Sequence, residues 1–73
     1  MKVTIVGKKN CSKCSTIKSI LENKGVDCDY FDVESDKGRH FKERILKENK
    51  GMYPLLLDEE GKVIDLKYIL GRI

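Results

Sequence analysis

The chain reads as an α/β fold, β-α-β-α-β-β-α, with a four-stranded mixed sheet and a short C-terminal helix. Three observations predict it. A β-branched run, Val3 to Val6, leads through Gly7 into an amphipathic helical pattern. A second strand-like run, Val26 to Val33, leads into another helical pattern. Two apolar runs then flank Asp58-Glu59-Glu60-Gly61, the signal of an antiparallel hairpin. Strands alternating with helices imply a parallel pair joined by a right-handed crossover, to which the hairpin is added.

Each element has a local reason. Ser12 to Lys24 carries Ile17, Ile20 and Leu21 at i, i+3 and i+4, one apolar stripe, and Gly25 supplies the stop. In Val26 to Val33 the Val, Tyr and Phe content favours a strand, with Asp27, Asp29 and Asp32 turned to water or capping. Asp36 opens the second helical pattern, whose buried face is Phe41, Ile45 and Leu46 and whose end is Asn49-Lys50-Gly51. Leu55 to Leu57 and Lys62 to Ile64 form the hairpin strands. Asp65 caps a last helix that turns Leu66, Ile69 and Leu70 inward.

Seventy-three residues make one domain, 1–73. A chain of this size buries only about 60% of the surface its unfolded form exposes, so a second core is excluded. Val3 to Val6 is far shorter than a signal peptide's apolar region, no segment approaches the roughly 20 apolar residues of a membrane span, and the expected location is the cytosol. The net charge of +3 is too small to imply nucleic-acid binding. It is unevenly placed: residues 1 to 25 hold six lysines against Glu22, while residues 26 to 36 hold five acids and no base. Three cysteines, an odd number, speak against a disulfide-stapled secreted domain and fit thiol chemistry in a reducing compartment.

Cys11 and Cys14 stand directly after the first strand, where the first helix begins. A helix N-terminus presents unpaired N–H groups and partial positive charge, which favour a thiolate over a thiol. Lys8, Lys9 and Lys13, all within three residues of Cys11, act in the same direction. Only the thiolate attacks disulfides, so this placement suits a redox nucleophile. Cys14, one turn further on, can reach back to Cys11. The expected roles are Cys11 as the exposed nucleophile and Cys14 as the partly covered resolving thiol. Cys28 reads as a small buried hydrophobe, His40 as an exposed helical residue, and Tyr30 as packing.

With these residues in place, the chain resembles a glutaredoxin over nearly its whole length. Lys8 three before the first cysteine, Cys11-Ser12-Lys13-Cys14 and the Lys24-Gly25-Val26 helix exit carry the likeness. So do Tyr53-Pro54 before Leu55 to Leu57, and Gly61-Lys62 in the hairpin. The resemblance implies a thioredoxin-like fold and thiol–disulfide oxidoreductase activity. It gives Cys11 the nucleophilic role with Cys14 as partner, and makes Lys8 a contact for a glutathione carboxylate. Pro54 matches a cis-proline facing the dithiol, although only about 5–6% of X–Pro bonds in folded proteins are cis. The backbone of Tyr53 would pair with an extended substrate.

The sequence also departs from the family pattern. Ser12-Lys13 replaces the usual Pro-Tyr between the cysteines, so a charge stands where an aromatic contact is usual. Met52-Tyr53-Pro54 replaces Thr-Val-Pro. Asp65 and Leu66 stand where a Gly-Gly followed by Asp helps hold the γ-glutamyl end of glutathione. The expected substrate-binding set is Lys8, Lys13, Tyr53 and Pro54. The expected activity is reduction of protein disulfides by the dithiol, with no bound cofactor, by a monomer without nucleic-acid or membrane partners. Electrons would come from glutathione or from a flavoenzyme resembling thioredoxin reductase. Two alternatives accompany this reading: a glutathione-dependent glutaredoxin acting on glutathione mixed disulfides, and a metal- or iron–sulfur-binding module using Cys11 and Cys14. Cys28 and His40 lack the short paired spacing of a structural zinc site.

Overall fold

The computed structural model describes residues 1–72. Its elements are β1 (Lys2–Gly7), α1 (Ser12–Asn23), β2 (Asp27–Asp32), a 3₁₀ turn (Arg39–Phe41), α2 (Lys42–Glu48), β3 (Leu55–Leu57), β4 (Val63–Ile64) and α3 (Leu66–Arg72). The strands form one sheet in the order β2-β1-β3-β4. β1 pairs in parallel with β2, Val3 opposite Cys28 and Gly7 opposite Asp32. On its other edge it pairs antiparallel with β3, Thr4 opposite Leu57 and Val6 opposite Leu55, and β3 continues antiparallel into β4. The architecture is the mixed, thioredoxin-like one that the sequence implies.

Alternation along β1 divides the interior in two. Val3 and Ile5 face one side, where Ile17 and Leu21 of α1, Leu56 and Ile69 of α3 close over them. Val6 faces the other side with Val33, Leu55 and Leu57 under Ile45 of α2, while Phe41 and Tyr53 pack at the margin. No polar or charged side chain is buried among the described residues. No helix of the described residues is long and apolar enough to cross a membrane.

The turns follow from particular side chains. At the end of α1 the chain passes through Gly25 at φ +77°, a conformation that costs glycine nothing. In the β3–β4 hairpin one carboxylate oxygen of Asp58 accepts from the N–H groups of Glu60 and Lys62, and Gly61 takes φ +82°. Arg44 donates to the Gly61 carbonyl at 2.8 Å, tying α2 to that hairpin. Asp65 caps α3 as expected, its Oδ1 accepting from the N–H of Tyr68 at 2.7 Å.

Four expectations are corrected. The second helix begins at Lys42 rather than Asp36. The intervening chain is a run of turns stapled by Ser35, whose Oγ accepts from Gly38 N–H while its carbonyl accepts from Gly38 and Arg39. Gly38 there lies against the Asp32 backbone with no room for a Cβ. Leu46 is 70% exposed, because a two-turn helix that buries Ile45 with Phe41 turns the next residue about 100° away. Leu70 is exposed for the same reason beside buried Ile69. Cys28 is half-buried at the margin of the α1-side core, since β2 is the sheet's outer strand and has a neighbour on one edge only.

Candidate dithiol site

The site is built where β1 hands over to α1. After Gly7 the chain turns through Asn10 at φ 59°, and Cys11 takes an extended conformation, φ −102° and ψ 97°, as the N-cap of α1. Its Sγ accepts from the Cys14 N–H at 3.1 Å, so the sulfur fills the place that a capping oxygen takes in other helices. No acidic residue stands in the first turn of α1 to offset the partial positive charge of the helix end. Cys11 and Cys14 are joined in a disulfide, with Cα atoms 5.3 Å apart. Cys14 is fully buried, whereas Cys11 is partly exposed. An incoming sulfur therefore has access to Cys11 before Cys14.

Two depressions border the Cys11–Cys14 segment. One is lined by Cys11 with Lys8, Lys9, Ser12, Tyr30 and Asp32. The other is a groove of about 340 Å³ lined by Lys13, Tyr53, Pro54, Ile17, Leu56, Asp65 and Leu66. Lys8 lies with Nζ 4.9 Å from the ring centroid of Tyr53, within cation–π range. Of the expected residues, Lys8 thus borders the Cys11 side and reaches Tyr53, while Lys13, Tyr53 and Pro54 share the groove. The Tyr53–Pro54 peptide bond is cis.

Sequence reading passed over two residues here. Asn49 appeared only as a helix end, yet its side-chain amide donates to the carbonyls of Met52 at 2.7 Å and Pro54 at 3.3 Å. Only the amide nitrogen can donate to a carbonyl, so the side-chain orientation is fixed by the contacts themselves. Asn49 brackets Tyr53, whose own N–H and C=O have no hydrogen-bond partner among the described residues. An asparagine five residues before a proline at a helix end was the available signal. The second is Tyr30, 37% exposed at the Cys11 side of the site rather than plain packing.

Cys28 stands apart from this chemistry. Its thiol contacts the Val26 carbonyl at 3.5 Å. Partial burial, then the carboxylates of Glu22 and Asp27, push its pKa up from the ordinary thiol value. A raised pKa lowers the thiolate fraction at pH 8, so Cys28 should alkylate more slowly than Cys11 in the reduced protein, with its rate midpoint above about 8.5, the free-thiol value. Thiol labelling against pH, resolved by peptide mass, measures this; a Cys28 rate equal to that of Cys11 would contradict it. Among the described residues, no three His, Cys, Asp or Glu side chains gather closely enough to hold a metal ion.

A disulfide-forming cysteine pair at a helix N-terminus, on a chain that carries a cis-proline before β3, defines the class: a thiol–disulfide redox protein of the thioredoxin-like fold. The family model described as Glutaredoxin matches residues 3–54, from β1 to the cis-proline, and the chain belongs to the glutaredoxin family. Comparison with curated proteins and with solved structures gave no match.

Proposed function

We propose that this protein reduces disulfides of other proteins through the Cys11–Cys14 dithiol, and that glutathione serves it weakly as substrate or donor. Cys11 attacks a substrate disulfide and holds one substrate sulfur as a mixed disulfide. Cys14 then attacks Cys11, the Cys11–Cys14 bond forms, and the substrate sulfur leaves as a thiolate. The unequal exposure of the two cysteines supports this division of roles. Tyr53, with both backbone groups unpaired and its ring under Lys8, suits an extended substrate segment, and Lys13 and Pro54 border the groove where it would lie.

The observation that carries the reading on glutathione is the presence of Asp65 and Leu66 in the lining of that groove. The Asp65 carboxylate already caps α3, and Leu66 adds bulk beside it. The γ-glutamyl end carries an α-carboxylate beside its ammonium group, and that carboxylate would meet the Asp65 side chain there rather than free N–H groups. Attraction by exposed Lys8 or Lys9 is worth only about 0–1 kcal/mol per pair and is screened by salt. The electron donor consistent with this is a flavoenzyme of the thioredoxin-reductase kind.

The test is Cys14→Ser, which breaks the dithiol cycle and leaves a monothiol route open. With glutathione and glutathione reductase as donor, this variant and the wild type should both act slowly on a glutathionylated peptide. On a protein disulfide the variant should lose turnover that the wild type shows with a flavoenzyme donor. Retention of most of a fast wild-type rate on the glutathionylated peptide would replace this reading with a glutathione-dependent one.

A further inference from the structure

The resolving step asks for something the two cysteines do not supply. Cys14 has no exposed surface, and no polar or charged side chain is buried beside it among the described residues. A thiolate in such a place is penalised unless a donor reaches it. The surroundings of Gly7 show which group is placed to do so. A Cβ on Gly7 would lie 3.1 Å from Sγ of Cys14, and the Tyr30 hydroxyl would be nearer still. The hydroxyl and the buried sulfur therefore border one space, the one that Gly7 leaves empty, with no hydrogen bond between them in the disulfide form.

The register explains the proximity. Tyr30 pairs with Ile5 on β2 and rises on the face covered by α1, and Gly7 lies two residues beyond Ile5 on that same face. Without a side chain at Gly7, the phenol reaches in toward the first turn of α1. Its ring is 37% exposed, so it connects the closed sulfur to bulk water.

Resting on the dithiol reading above, we propose that Tyr30 is a further catalytic residue, whose hydroxyl donates a hydrogen bond to the Cys14 thiolate as it attacks the Cys11 mixed disulfide. The step balances without another reactant. The Cys14–Cys11 bond forms as the bond from Cys11 to the substrate sulfur breaks. Cys14 is oxidised, and the substrate sulfur leaves with the electron pair. The proton given up by Cys14 passes along the exposed side of Tyr30 to water and is available to the leaving thiolate. The charged groups around the phenol are Lys8 and Lys9 from the loop, Asp32 from β2, and Lys18 of α1, whose Nζ is 5.9 Å from the ring centroid. The lysines favour the thiolate and Asp32 opposes it, and all four remain in the test below.

The experiment follows one equivalent of a nitrobenzoate disulfide that releases a coloured thiolate at each step. Reduced wild type gives two releases, the first from attack by Cys11 and the second from resolution by Cys14; Cys14→Ser gives the first alone. Tyr30→Phe, which removes one oxygen and keeps the ring, should leave the first release unchanged. It should slow the second about tenfold at neutral pH, as befits a lost hydrogen bond to a charged group, and move its pH midpoint up by about one unit. Equal second-release rates for Tyr30→Phe and wild type across the pH range would overturn the proposal, as would equal slowing of both releases. A wild type that behaves like Cys14→Ser would overturn the dithiol reading itself, whatever Tyr30→Phe does.

Discussion

Cys11→Ser is expected to bring protein-disulfide reduction down to the uncatalysed background, the largest single effect in the molecule. A serine oxygen in that place can still cap α1, because the cap asks only for an acceptor for the Cys14 N–H. The helix and the groove beside it should therefore persist. What is lost is the only sulfur that is both exposed and at the helix end, and no mixed disulfide can form on oxygen. Cys14→Ser should behave differently, trapping a stoichiometric adduct on Cys11 that mass spectrometry detects and dithiothreitol removes. Residual turnover in Cys11→Ser, or an adduct on Cys14 in that variant, would reverse the two roles.

Ile5→Ala should produce the largest loss of stability. Ile5 is fully buried at the centre of the sheet, paired with Tyr30 on one edge and Leu56 on the other, and sits under Ile17, Leu21 and Ile69. Truncating such a residue costs about 2–5 kcal/mol, from lost transfer energy and from the cavity left behind. At about 0.05–0.15 kcal/mol per residue, a chain of this length has roughly 4–11 kcal/mol in all. The variant should thus unfold at much lower urea and, at the upper end of the cost, populate the unfolded state without denaturant. Leu46→Ala, at a site that is 70% exposed, should change stability by no more than about 0.5 kcal/mol. Urea unfolding of the three proteins in parallel is the measurement. A loss below about 1 kcal/mol for Ile5→Ala would mean that the α1-side core is looser than its burial suggests.

Much of this architecture was legible because local and global signals agree. Val3 to Val6 can be little but a buried strand, and the stripe of Ile17 and Leu21 needs a sheet to cover. Asp58 and Gly61 write their own turn, and Asp65 its own cap. The dithiol was legible for the same reason, since the βα turn that holds Cys11 and Cys14 is contiguous in sequence. Legibility failed where one residue's environment is set by a distant one. Asp36 has the composition of a helix start, but Ser35 claims the neighbouring N–H groups and delays winding until Lys42. Leu46 and Leu70 are apolar residues beside better-placed ones on helices of two turns. Tyr30 over Gly7 depends on the register between two strands, and no periodicity within either strand encodes that register.

The central place of β1 also governs the order in which the site can come into being. The dithiol and its helix belong to the first third of the chain, whereas Tyr53-Pro54, which shares a groove with Lys13, is carried on the segment that leads into β3. β3 is held against β1 by pairing Thr4 with Leu57 and Val6 with Leu55, contacts between chain segments made far apart in time on the ribosome. A nascent chain bearing only β1, α1 and β2 thus has the cysteine pair without the Tyr53-Pro54 segment. The groove that Lys13 shares with Tyr53 and Pro54 therefore comes into being only once β3 closes on the free edge of β1.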